Sequence, residues 1–591
     1  MNGEPNSDGE SHFDAEADGG NPPRDEADPA EECRPNLFDQ AAEEDSGGGE
    51  YPPWYDNSFH TAAWAAVPEI GATWRRWYDV PYRLLNWWIR SRWSKVLPRK
   101  LRDRSYEWLT ALIRYNDHAR NKVRSLDDPM HNIFVPVDEH LTVPALWLIE
   151  LFPPSAAPEL RSLVRKYNPR IRLFSDPAEA VSILSQTRAG QGYDWFALSY
   201  IQAPKSRSLI PDSRREQIPD VFEGIELTAI QLGTGLTAVV AQFRLTEESA
   251  ASLDREWHAQ HEPQLRRHRK HLIAEDREWS AYSQTQEVRR APHDAARKWM
   301  ARNCPGLFAQ SDESQPLMDL LIIEKHDPAG DQRPSHELSN ALRALGLTRL
   351  HTVIASPAVP EFVLIPTDLE VCPTLETSRT WALWDKHSKA IAARPDLTKY
   401  AGPDEFLALA HGVDEEMRDV FVALSVSEMV NLMQRRYTEL RDSARQQHNS
   451  FSPRDLQHLR RTLLTLSIDV ASTKDDVPTW WERHRTRVPP FYLFYPGDKD
   501  GEPRLECTEH LRSRQLDELS RLREADATIR DILSTVSALG AASDAFKLGR
   551  VALYVAIASS VVAIATLLFT TIGPGSVATY LWAWLQTLWS S

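Results

Sequence analysis

The most uniform run of hydrophobic positions extends from Val551 to Thr571, V-A-L-Y-V-A-I-A-S-S-V-V-A-I-A-T-L-L-F-T-T, without a charged residue. About 20 apolar residues, at ~1.5 Å rise each, cross the ~30 Å hydrocarbon core of a bilayer. The run therefore predicts a transmembrane helix over 551–571. Its membrane-anchoring residues are Val551, Leu553, Val555, Ile557, Val561, Val562, Ile564, Leu567, Leu568 and Phe569. Immediately upstream the apolar spacing changes to threes and fours, through Leu522, Ala525, Ile529, Ile532, Val536, Leu539, Ser543 and Phe546. That is a heptad pattern, and it predicts a stalk helix over 509–546 running directly into the membrane segment. Leu522, Ile529, Ile532, Val536 and Leu539 form its expected oligomer seam.

Further upstream, strand-like and helix-like periods alternate. Residues 128–250 read as a first α/β block, with strands at N-I-F-V-P-V, D-W-F-A-L-S-Y-I, I-E-L-T-A-I-Q-L and L-T-A-V-V-A-Q-F-R-L. The last two are joined by Gly233-Thr234-Gly235, read as a hairpin turn. Residues 251–312 read as a charged helical segment. A second α/β block covers 313–400, a helical segment 401–487 and a hairpin 488–508. After the membrane segment, 575–591 is a short apolar Trp-rich tail, at ~24 Å too short for an easy crossing and expected to lie at the surface or re-enter. The fold class is thus α+β or mixed α/β: a cytoplasmic body with a long C-terminal helical stalk leading into a C-terminal transmembrane helix. Lys547 and Arg550 precede that helix, which places the body on the cytoplasmic side of a plasma or inner membrane.

Residues 51–127 form a Trp/Arg-rich helical region. Its centre, R-L-L-N-W-W-I-R-S-R-W-S-K, mixes aromatic and cationic groups as membrane headgroups favour. Packing of the tryptophans onto the body, with the arginines in water, is the expectation adopted here.

Charge sharpens this layout. The chain of 591 residues carries −16 overall, but Met1 to Glu50 alone holds 16 acidic against 2 basic residues. Residues 1–50 therefore read as a disordered acidic tail. The body is almost neutral, so no nucleic-acid partner is expected. Four scattered cysteines fit a reducing compartment. The opening M-N-G-E-P-N-S-D-G-E lacks the pattern of a secretory leader, so insertion is expected to depend on the C-terminal segment.

Candidate chemistry is sparse. No nucleophile elbow, Walker loop or metalloprotease motif occurs. His258, His261, His268 and His271 are the only clustered metal-ligand candidates. On an unbroken helix His261 and His268 would lie nearly on one face, but Pro263 interrupts it and four neighbouring basic residues repel a cation. A solvated basic helix is expected instead. Cys304, before Pro305, reads as a small apolar residue at a helix end, and Asp475-Asp476 as loop carboxylates. Nothing in the sequence identifies a cofactor.

Two functions remain open. One is a membrane-anchored scaffold or sensor with a cytoplasmic partner, self-associating through the stalk. The other rests on layout: a cytoplasmic α/β domain, a long helix and C-terminal hydrophobic segments. In this the last ~85 residues are similar to CorA-type divalent-cation channels. That resemblance implies a channel or transporter. The family's Gly-Met-Asn signature is absent, since the corresponding residues are Thr571-Ile572-Gly573-Pro574-Gly575-Ser576.

Overall fold

The computed structural model describes residues 79–92, 98–120, 138–167, 184–186, 188–189, 195–204, 213–259, 261–269, 271–325, 345, 353–357, 359–367, 379–394, 405–447, 453–484, 487–494, 505–570 and 577–590. Two helices, α1 (Asp79–Arg90) and α2 (Arg99–Arg120), precede β1 (Leu141–Thr142), β2 (Ala145–Phe152) and α3 (Ala157–Lys166). Next come β3 (Trp195–Gln202), β4 (Arg214–Arg215) and the hairpin of β5 (Phe222–Gln231) and β6 (Thr237–Leu245). Helix α4 (Glu247–Trp257) leads to a small hairpin, β7 (Gln264–His268) and β8 (His271–Glu275), then α5 (Arg277–Asn303) and α6 (Leu307–Gln310). Strands β9 (Leu317–Ile323), β10 (Val353–Ser356), β11 (Val359–Pro366) and β12 (Thr380–Lys386) are followed by α7 (His387–Ala393), α8 (Glu405–Gln447) and α9 (Pro453–His484). The chain ends with β13 (Tyr492–Phe494), β14 (Leu505–Glu506), α10 (Cys507–Thr570) and α11 (Val577–Trp589).

The two α/β blocks share a single mixed sheet, ordered β14-β13-β10-β11-β12-β9-β2-β6-β5-β3-β4, with β1 also beside β9. They join where β2 runs antiparallel to β9, Trp147 opposite Met318, while β12 lies parallel to β9 on its other side. Strand β2 is buried along its whole length. Leu146, Leu148 and Phe152 face a core shared with α3, α4 and α5; Trp147, Ile149 and Leu151 face one shared with α8, α9 and α10. A strand covered on both faces has no polar positions to alternate with. For that reason A-L-W-L-I-E-L-F, the centre of the sheet, shows no strand pattern in the sequence, and T-W-A-L-W-D-K of β12 behaves the same way.

Several sequence expectations shift. Residues 251–312 are not continuously helical: β7 and β8 pair between α4 and α5, with Leu265 opposite Ala274. Each flanking helix has its own side-chain cap, Thr246 accepting from the Ser249 N–H at 3.3 Å and Asp276 from that of Trp279 at 2.7 Å. Asp475 and Asp476 lie within α9 rather than in a loop. The expected run of the stalk directly into the membrane segment is present, because both lie on α10, one helix of 64 residues. The acidic segment 1–50, the N-I-F-V-P-V strand, residues 495–504 at the turn of the 488–508 hairpin, and Trp54, Trp64, Trp74, Trp77 and Trp93 lie outside the described residues.

A buried charge cluster clamps α5 to the middle of the sheet. Asp319 on β9 accepts two hydrogen bonds from Arg289, Nε and Nη2 each at 2.7 Å, and lies 3.0 Å from His293 Nε2. Arg289 also donates to the Leu345 carbonyl. Burial opposes ionisation of Asp319, but the adjacent guanidinium outweighs it and holds the carboxyl well below its usual range. Burial likewise keeps His293 below its ordinary value. Removing one member of such a cluster strands the others in an apolar interior. Asp319→Ala should therefore lower unfolding stability by about 3–5 kcal/mol, read as a fall in the denaturation midpoint of the detergent-solubilised chain.

Candidate functional site

The feature that distinguishes this chain is the way α10 leaves the body. Its N-terminal part, from Cys507 to Ile529, lies against α8 and α9. Leu519, Leu522 and Ile529 are buried in the core those helices share with the sheet. Two polar crossings fix the register. Gln515 donates to the Ala423 carbonyl and to Ser427 Oγ, both at 2.7 Å, and accepts from Trp481 Nε1 at 2.9 Å. Three turns later Asp526 accepts from the Tyr437 hydroxyl at 2.9 Å and from Ser467 Oγ. Burial, with the Asp526 charge beside it, pushes the Tyr437 hydroxyl pKa far up, so the phenol remains a donor.

The predicted seam divides at this point. Leu522 and Ile529 pack inside the chain's own three-helix layer, whereas Ile532 is 46 % exposed against 7 % for Ile529. Val536 and Leu539 continue the helix, with side chains outside the described set. Gln515, Leu519, Leu522, Asp526 and Ile529 repeat at fours and threes. Sequence reasoning followed only the apolar members of that stripe. Polar residues at seam positions were the available signal for a specific partner, and it was missed.

From Gly549 to Thr566 no part of α10 is buried. Val551, Leu553, Val555, Ile557, Val561, Val562 and Ile564 are each more than half exposed. Leu567, Leu568 and Phe569 prolong the same helix, their side chains outside the described set. This is one helix long and apolar enough to cross a membrane. The following α11 has 13 residues, about 20 Å of helix, shorter than a ~30 Å hydrocarbon core.

The four candidate histidines do not converge. His258 sits at the end of α4, its Nδ1 2.9 Å from the Asp254 carbonyl oxygen. Asp254 also accepts from the Leu141 N–H at 2.9 Å; burial raises its pKa, but His258 and that N–H prevail and hold it low. His261 is buried with Nε2 2.9 Å from the Glu256 carbonyl oxygen, and burial lowers its pKa. His268 and His271 are register partners at the β7–β8 turn, and His271 contacts Glu107 on α2. Among the described residues no group of side chains could hold a metal ion.

Other polar groups are consumed internally. The carboxylate of Asp476 accepts from the backbone N–H groups of Thr234, Gly235 and Leu236, each at 2.8 Å. The Gly-Thr-Gly turn is indeed a hairpin, and its anion cradle is filled by α9. A Cβ on Gly233 would fall 2.2 Å from Asp476 Cγ, and one on Gly235 1.7 Å from Ser472 Oγ, so glycine is required at both. Cys304 is fully buried and its thiol pKa is pushed up by burial, then by Glu150, which suppresses the thiolate. No family model and no curated protein matches the chain.

Glu150 on β2 accepts from the N–H groups of Phe308 at 2.6 Å and Ala309 at 3.2 Å, and burial raises its pKa from 4.5 to about 8. The folded chain thus keeps this proton across a range in which the unfolded chain has lost it, so stability declines as pH rises through that window. Glu150→Gln retains an oxygen acceptor and removes the titration. Its unfolding midpoint should fall less than that of the unaltered chain between pH 4.5 and about 8, measured by thermal melts across that range.

Proposed function

We propose that the protein is a membrane-anchored scaffold or sensor whose body is coupled rigidly to its anchor. The observation that carries this is the continuity of α10: one helix begins in the body's core and continues into an apolar run, no part of which is buried from Gly549 to Thr566. A flexible tether would let the body move independently of the membrane; an unbroken helix transmits tilt and rotation. Lys547 and Arg550 ahead of the apolar run support a cytoplasmic body. Sealed charge clusters and a filled anion cradle support a binding or assembly role over a catalytic one. A chain ending at Ala545 should be soluble, whereas the full chain should pellet with membranes and resist carbonate extraction. Full-length chain in the soluble fraction would remove the reading.

Self-association is assigned to the helix from Ile532 onward, beginning at a residue that is itself 46 % exposed. Parallel anchoring raises the local concentration of these segments. Ile532→Asp places like charges in every copy of such a contact. Cross-linked dimers or larger species in membranes should disappear while the unfolding midpoint stays unchanged, because Ile532 lies beyond the buried part of α10. Persistence of the cross-linked species would sink self-association through this helix.

A further inference from the structure

The amphipathic helix α1 carries an apolar stripe that is exposed among the described residues. Val80, Leu84 and Trp87 fall at i, i+4 and i+7, on one face, and are 61, 59 and 62 % exposed. Arg83 and Arg90 are exposed beside them. The tryptophans of this helix were expected to pack onto the body, yet Trp87 points away from it. The opposite face of α1 rests on α2, and α2 in turn rests on the β7–β8 hairpin. Leu109, Leu112 and Tyr115 of α2 are buried there, so α1 is held on a packed platform. That platform is basic. Asp79 to Tyr115 contains nine Lys/Arg and three Asp/Glu, and Arg266, Arg267 and Arg269 lie at the tip of the hairpin.

We infer that α1 is a second membrane contact, laying Val80, Leu84 and Trp87 into the interfacial region of an anionic leaflet with its arginines among the headgroups. This deepens the membrane-anchored reading and rests on it, because the C-terminal helix supplies proximity to the bilayer. Three physical points select lipid. A stripe of Val, Leu and Trp between arginines matches the two layers it would meet, acyl chains below and anionic headgroups beside. The chain's own acidic segment 1–50 offers the charge but few large apolar side chains, chiefly Phe13, Leu37 and Phe38, to cover the stripe. Nucleic acid would leave the aliphatic centre of the face unmatched, since its grooves and phosphates favour basic and polar groups. From Ile529 to Gly549 the helix spans about 30 Å at ~1.5 Å per residue. Reaching the same bilayer therefore requires this spacer to lean, and Gly540 and Gly549 are its weakest helix formers.

The test uses the full-length chain reconstituted into vesicles of phosphatidylcholine mixed with phosphatidylglycerol, with p-benzoylphenylalanine at position 84 as a photo-crosslinker. Lipid adducts are expected at position 84 and not when the probe replaces Arg441, an exposed residue of α8. Arg83→Glu with Arg90→Glu should reduce the adducts roughly thirtyfold, two basic residues at about 1 kcal/mol each near an anionic surface. Flotation with the vesicles and the unfolding midpoint should both persist in that variant. A chain that floats without adducts at position 84 overturns the α1 contact and leaves the C-terminal anchor standing. Adducts instead to residues 1–50, to a second copy or to an added oligonucleotide also overturn it. A chain that does not float at all overturns both.

Discussion

The insertion of α10 between α8 and α9 is the contact on which the rest of the arrangement depends. Gln515 and Asp526 each bridge the two neighbouring helices, and Leu519, Leu522 and Ile529 fill the space around them. Buried polar groups are costly unless every partner is present. Sliding α10 by one residue would leave Gln515, Asp526, Tyr437 and Trp481 unpaired at once. The register is thereby specified more sharply than apolar packing alone would achieve. Because the helix does not end at the body's edge, that register also sets the angle and height at which the apolar run begins.

Seen from that helix, the sheet is a platform. Both α/β blocks contribute to it, joined at β2 and β9, and it separates two cores. The Asp319–Arg289–His293 cluster locks α5 to one face, while Asp476 ties α9 to the β5–β6 turn on the other. Neither cluster is open to a ligand. Both act as electrostatic pins, holding elements that come from distant parts of the chain.

The basic platform of α1, α2 and the β7–β8 hairpin has a different character. Its interior side is packed, but its outward side combines exposed apolar groups with cationic ones. With an acidic segment at one end of the chain and an apolar helix at the other, the molecule is polarised in both charge and hydrophobicity. The proposed contact with a lipid surface would use that polarity.

What the amino-acid order determines alone is whatever depends on local composition. The run from Val551 is apolar wherever the body sits, and segment 1–50 is acidic in any conformation. Strands β5 and β6 were legible through their β-branched residues and the Gly-Thr-Gly turn between them, although both lie inside the sheet and are covered on both faces. Strand β2 has neither signal, and burial on both faces erases the alternation that would otherwise mark it. The destination of the 522–529 stripe was not legible either. A heptad pattern states that a helix must cover one face, but a copy of itself and a neighbouring helix satisfy that requirement equally. Only the tertiary structure could choose, and it did so through Tyr437, Ser467 and Trp481, residues 34 to 89 positions away that hydrogen-bond the polar members of the stripe.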